Sequence, residues 1–145
     1  MPKAKGFFNS KDEMIILNAI RHAESNTSGE IRVHVEDHCK KEVLERAAQV
    51  FDLLKMQNTK LRNGVLFYFA VKDKKFAIIG DAGINEKVPE DFWNDIKETL
   101  LNHFKSGEFA KGLSEGIMMA GEQLRAHFEY MEDDINELPD EISYS

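Results

Sequence analysis

Gly64 to Val71 reads Gly-Val-Leu-Phe-Tyr-Phe-Ala-Val, a run that is apolar at odd and even positions alike. Alternate side chains of a strand point to opposite sides of the sheet, so this run must hide both of its faces. It belongs inside a sheet with helices above and below. Lys72-Asp73-Lys74-Lys75 breaks the run with a short polar connection, and Phe76-Ala77-Ile78-Ile79 follows as the returning arm of a hairpin. A turn centred between Asp73 and Lys74 sets Val71 opposite Phe76 and Gly64 opposite Gly83.

The rest of the chain supplies the covering elements. Ser10-Lys11-Asp12-Glu13 fits a capping box, and Ile16, Leu17, Ile20 and Ala23 share one face of a helix that runs to about Ser25. Turn residues at Asn26-Thr27-Ser28-Gly29 end it. Glu30 to Glu36 then alternates with period two, pointing Ile31, Val33 and Val35 inward and Arg32 and His34 away, as in a half-covered or edge strand. A second helix spans about Lys41 to Met56 on the spacing of Val43, Leu44, Ala47, Ala48, Val50, Phe51 and Leu54. Val88-Pro89-Glu90-Asp91 opens a third, with Phe92, Trp93, Ile96, Leu100 and Phe104 as its buried stripe and Gly107 as its stop. A fourth runs from about Glu108 to Tyr130. Its Gly112, Gly116 and Ala120 form a smooth strip for close packing. The order α-β-α-β-β-α-α predicts a mixed sheet of three or four strands with helices on both faces.

Chain topology then gathers polar residues. A right-handed β-α-β unit makes the first two strands parallel, so they start at the same edge, and the antiparallel third strand finishes there. Ser28-Gly29-Glu30, Arg62-Asn63-Gly64 and Gly80-Asp81-Ala82-Gly83 therefore converge. Glu30 and Asp81 could hold a hard cation through oxygen, or Arg62 and the backbone N–H groups permitted by Asn63, Gly80 and Gly83 could hold a phosphoryl group. The bland alternative is a well-made turn in which Arg62 pairs with Glu30 or Asp81.

At the opposite edge His34, Glu36, Asp37, His38 and Cys39 meet the Lys72 to Lys75 turn. No second cluster completes a zinc pattern, and Cys39, the single cysteine, has no identifiable base, so a packed or exposed thiol is expected. Elbow, Walker, dinucleotide-binding and zinc-protease signatures are absent.

Net charge bears on partners only when it is divided along the chain. Of the −7 total, residues 131–145 carry six acids and no Lys or Arg, leaving 20 acids against 19 bases elsewhere. A nearly neutral body has no basic stripe for phosphate backbones, so nucleic acid is not an expected partner. No apolar run reaches the length of about eighteen residues needed to span a bilayer, and the amino end lacks a secretory pattern. The expectation is a cytoplasmic domain over residues 1–130 with a solvated acidic tail over 131–145.

Taken together, Thr27-Ser28-Gly29-Glu30-Ile31, Arg62-Asn63-Gly64-Val65-Leu66, Phe76 through Gly83, and Phe104-Lys105-Ser106-Gly107-Glu108-Phe109-Ala110-Lys111-Gly112-Leu113 resemble the TPM domain family. That family is named after a thylakoid lumen protein, a photosystem repair protein and a nematode receptor modulator. The resemblance spans about Ser10 to Phe128 and implies a three-layer α/β/α sandwich, with acid phosphatase activity and calcium binding in some members. The chain is more similar to short bacterial members that end in an acidic segment, here Asp133-Asp134-Ile135-Asn136-Glu137-Leu138.

Two functions follow as expectations. One is a non-catalytic module that recognises a protein partner or binds Ca²⁺ or another divalent cation, without an organic cofactor. The other is a metal-assisted phosphatase, with Glu30 and Asp81 as metal ligands and Arg62 and Asp81 as the catalytic pair.

Overall fold

In the computed structural model, which describes residues 7–25, 27–89, 91–128 and 142–145, the element order is α1 (Ser10–Glu24), β1 (Glu30–Glu36), α2 (Val43–Leu53), β2 (Gly64–Ala70), β3 (Lys75–Gly80), α3 (Ala82–Asn85), α4 (Phe92–Lys105), α5 (Phe109–His127) and β4 (Ser143–Tyr144). The sheet order is β3-β2-β1-β4. β1 and β2 are parallel, β2 and β3 antiparallel, and β4 lies parallel to β1. The expected α/β/α sandwich is present. Ile31, Val33, Val35, Val65, Phe67 and Phe69 face α1, α4 and α5, while Leu66, Tyr68 and Ala70 face α2.

β2 is an inner strand buried along its whole length, as its apolar run requires. β1 is not the half-covered edge its alternation suggests. All seven of its residues are buried, because the last residues of the chain return as β4 on its open side. The acidic tail is thus corrected at its end: Ile142 is buried and Ser143–Tyr144 pair with His34 and Val35. Residues 129–141, which carry the tail's acids, lie outside the described residues.

The hairpin register differs from expectation by two residues. Phe76 pairs with Phe69 rather than Val71, and Gly80 pairs with Val65. The turn takes the four residues Val71 to Lys74, with Lys74 at φ 54°, instead of a tight pair. A slip of two leaves every side chain on its intended face, so the layers are unaffected.

Helix ends follow local chemistry with two shifts. α1 is capped by Asn9, whose side chain accepts from the Asp12 N–H at 2.8 Å, one residue before the expected Ser10. α4 begins at Phe92, after the Pro89 carbonyl accepts from the Phe92 N–H. Its end is as expected. Gly107 sits at φ 75°, its N–H bonds the Phe104 carbonyl, and the Glu108 N–H bonds His103, the paired bonds of a Schellman stop. Nothing lies within 4 Å of a Cβ placed there, so Gly107→Ala carries backbone strain alone. It is expected to cost about 1 kcal/mol in urea unfolding.

The small-residue strip on α5 serves two neighbours. Gly112 and Gly116 admit His103, Ile96 and Leu100 of α4, while Gly121 lies against Ala23 of α1. Among the described residues no helix is long and apolar enough to cross a membrane.

Candidate functional site

The three polar corners do meet at the starting edge of β1 and β2. The Glu30 N–H bonds the Asn63 carbonyl at 3.3 Å, the Asp81 N–H bonds the Gly64 carbonyl at 3.0 Å, and the Gly83 N–H bonds the Arg62 carbonyl at 2.9 Å. Asn63, fully buried, reaches Ser28 with its side-chain amide at 3.4 Å. Gly83 lies so close to the preceding turn that a Cβ would sit 2.2 Å from the Leu61 carbonyl oxygen, so only glycine allows this approach. Gly80 similarly makes room for the Trp93 ring.

Arg62 decides what the corner can do. At φ 53° it turns its side chain back onto Asp81, donating from Nε to Oδ2 and from Nη2 to Oδ1, both at 2.8 Å. That fork is the bidentate geometry a planar guanidinium makes with a carboxylate, and it raises the Arg62 pKa further. Asp81 Oδ1 also accepts from the Ala82 N–H at 2.7 Å, capping α3, a turn of helix where the sequence predicts only a glycine-rich loop. The carboxylate is buried while Arg62 is half exposed. Glu30 is buried beside Gly64, across from Asp81. With Gly64 between them, the two acids are set about 10 Å apart at Cα, two strand spacings.

This donor set does not fit a resident divalent cation. Asp81 is already neutralised by Arg62, and among the described residues no group of three or more His, Cys, Asp or Glu side chains could hold a metal ion. Among the described residues no activated hydroxyl stands beside it. Ser28 meets the Asn63 amide, and the Thr27 hydroxyl donates to the Leu124 and Phe128 carbonyls.

The feature that alternation concealed lies further along β1. Glu30, Arg32, His34 and Glu36 form a row on the face toward α2, and all are buried. Glu36 receives Arg46 Nε and Nη2 at 2.8 and 2.9 Å, the Ser145 hydroxyl at 2.8 Å, and the Tyr68 hydroxyl. His34 contacts Ser143 through Nδ1 at 2.9 Å and Ser145 through Nε2 at 2.7 Å, and stacks on Tyr68. Because the Ser145 proton goes to a carboxylate that can only accept, His34 Nε2 must be the donor to Ser145. The neutral ring then accepts at Nδ1.

Burial lowers the His34 pKa to about 4, opposed by Glu36 and aided by Arg46 and Arg32. Burial would raise Glu36, but the hydrogen bonds from Arg46, Tyr68 and Ser145 outweigh it and hold the acid at about 2. Burial and then Glu36 raise Tyr68. Arg46 and Glu36 are charged, His34 and Tyr68 neutral, and every member is bonded, which describes a structural network rather than a proton shuttle. A sequence signal existed: four polar residues at every second position of β1, with a Tyr inside the apolar run of β2.

The remaining expected candidates hold loops. Asp73 accepts from the Cys39 N–H at 2.7 Å and pairs with the exposed His38 at 2.9 Å, tying the exit of β1 to the hairpin turn. Cys39 is packed, with Sγ against the Lys41 carbonyl.

A small mixed sheet between one helix and a three-helix layer, with a closed polar corner at its starting edge, defines the class of this domain. A family model for the TPM domain matches residues 3–123, and the chain belongs to the TPM domain family. It is 50% identical to BA42 protein from the psychrophilic bacterium Bizionia argentinensis, whose NMR structure superposes with a TM-score of 0.90 over 96% of each chain. The N-terminal domain of a P. gingivalis protein has the same fold, with a TM-score of 0.72 at 20% identity, covering 88% of this chain and 84% of that one. That of a Corynebacterium glutamicum protein gives 0.66 at 12% identity, covering 82% and 75%. No curated protein matches.

Proposed function

We propose that this TPM domain is a non-catalytic binding module rather than a phosphatase. The observation that carries this reading is the saturated Asp81 carboxylate, held by both nitrogens of the Arg62 fork and by a backbone N–H. A phosphoryl group would need the guanidinium and a cation would need the carboxylate, and each already satisfies the other. Calcium enters this reading only in exchange for Arg62, whose half-exposed side chain can leave without disturbing the core. Asp81, released from the fork, would then be the acid that meets it.

The test uses the whole chain. A phosphate monoester supplied with Ca²⁺ or Mg²⁺ is expected to show no turnover above buffer, and Asp81→Asn to change nothing in that assay. Turnover abolished in Asp81→Asn would overturn the reading in favour of the phosphatase. Millimolar Ca²⁺ is expected to leave the Tm of the wild type in place and raise that of Arg62→Gln by a few degrees, since a ligand that prefers the native state must stabilise it. An equal rise in both proteins would show that Arg62 does not gate the corner.

A further inference from the structure

A cavity of about 390 Å³ lies far from this corner, at the finishing end of β2. It falls within the range of small-molecule sites and lies beyond the carboxyl end of a parallel strand, where open α/β sheets place their ligands. Its wall is a chain of touching rings. Phe69 meets Phe76 and Phe104 at 6.0 and 5.6 Å, Phe76 meets Phe104 at 5.5 Å, and Phe104 meets Phe109 at 5.0 Å. Phe7 closes the other side, 5.3 Å from Phe109. Phe7, Leu101 and Phe109 are all more than a third exposed, so this lining stays open to water at a cost the fold has not removed.

The polar part of the lining is of one sign. Lys74, Lys75 and Lys105 border the cavity, and among the described residues no acid lines it. All three are exposed, and none has a partner among the ion pairs of the described residues. The nearby acid, Asp73, is turned to His38 and the Cys39 N–H. Lysines of this kind lay their stems along apolar walls and hold their ammonium groups at the mouth. An apolar interior with a cationic rim complements a molecule with an apolar body and one anionic head.

We propose that this cavity is a binding site for a small amphipathic carboxylate, a medium-chain or aryl acid, whose body packs against Phe69, Phe104 and Phe109 while its head group meets Lys74, Lys75 and Lys105. The site is independent of the Arg62–Asp81 corner, which lies at the other end of the strands. Loss of one reading leaves the other standing.

Decanoate, decan-1-ol and decyltrimethylammonium, each below its aggregation concentration, separate the possibilities when titrated into the full chain and followed by aromatic and methyl NMR shifts. Decanoate is expected to give saturable shifts confined to Phe69, Phe104, Phe109 and Leu113, the alcohol to bind about tenfold more weakly, and the cation not to bind. Lys75→Glu/Lys105→Glu is expected to weaken decanoate about tenfold while leaving the Tm without ligand in place, since both residues are exposed. Equal binding of acid and alcohol, or no loss in the double variant, would overturn the assignment of an anionic head. Absence of saturable shifts, or a concentration-dependent dimer that covers these rings, would overturn the site.

Discussion

Glu36→Gln is expected to lower the unfolding free energy at pH 7 by about 3 kcal/mol, the cost of stripping one member from a buried ion pair and leaving the other charge uncompensated. Arg46 would lose the fork that now holds it at 2.8 and 2.9 Å, and the Tyr68 and Ser145 hydroxyls would lose their anionic acceptor. Tyr68→Phe removes one hydroxyl only and is expected to cost about 1 kcal/mol. Glu36→Leu/Arg46→Leu is expected to recover much of the loss, because no charge is then buried alone. Urea unfolding of the set checks this. A loss below about 1 kcal/mol for Glu36→Gln, or a double variant worse than the single, would contradict the network's role.

Acid stability follows from the same residues. Folding lowers His34 from 6.5 to about 4 and Glu36 from 4.5 to about 2, so in both cases the unfolded chain binds the proton more readily. Stability is then full above pH 6.5. It falls through the His34 window between 6.5 and about 4 and again through the Glu36 window between 4.5 and about 2. The His34 part is on the order of 3 kcal/mol if its burial holds throughout. Thermal unfolding from pH 7 to 3 is expected to show a steady decline, and His34→Gln to flatten its upper part.

Removal of Ile142 to Ser145 is the second large effect. It deletes β4, the buried Ile142 side chain, the Tyr144 bond to Glu13 and the two serines that satisfy His34. The Val35 carbonyl also loses the Ser145 N–H. A loss of about 2 to 4 kcal/mol is expected from the apolar burial and the hydrogen bonds combined. The sharper readout is His34, whose imidazole resonances should titrate well above 4 and toward 6.5 once solvent reaches it. A shortened protein in which His34 still titrates near 4 would mean that β4 does not shield it. The uncovered edge of β1 is also expected to promote association, since an unpaired edge can pair with another chain.

Much of the corner was legible because it required only chirality and a hairpin. A right-handed crossover from β1 to β2 and an antiparallel return bring Glu30, Arg62 and Asp81 to one edge whichever of two neighbouring registers the hairpin takes. Which partner Arg62 would choose was not legible. That depends on its left-handed backbone and on the short α3 that fixes Asp81. β4 escaped notice for a different reason: two residues of strand at the end of an acidic segment carry no periodicity to read.

What the sequence by itself determined is the set of elements whose pattern is local: the doubly apolar β2, the amphipathic helices and the glycine stop at Gly107. What only the tertiary structure decided is the state of the polar residues. His34 and Arg32 alternate with apolar neighbours as solvent-facing residues would, yet both are buried. His34 meets serines 109 and 111 positions away. Side-chain direction is fixed by the strand's two-residue period, but whether that direction leads to water depends on what the rest of the chain lays over it.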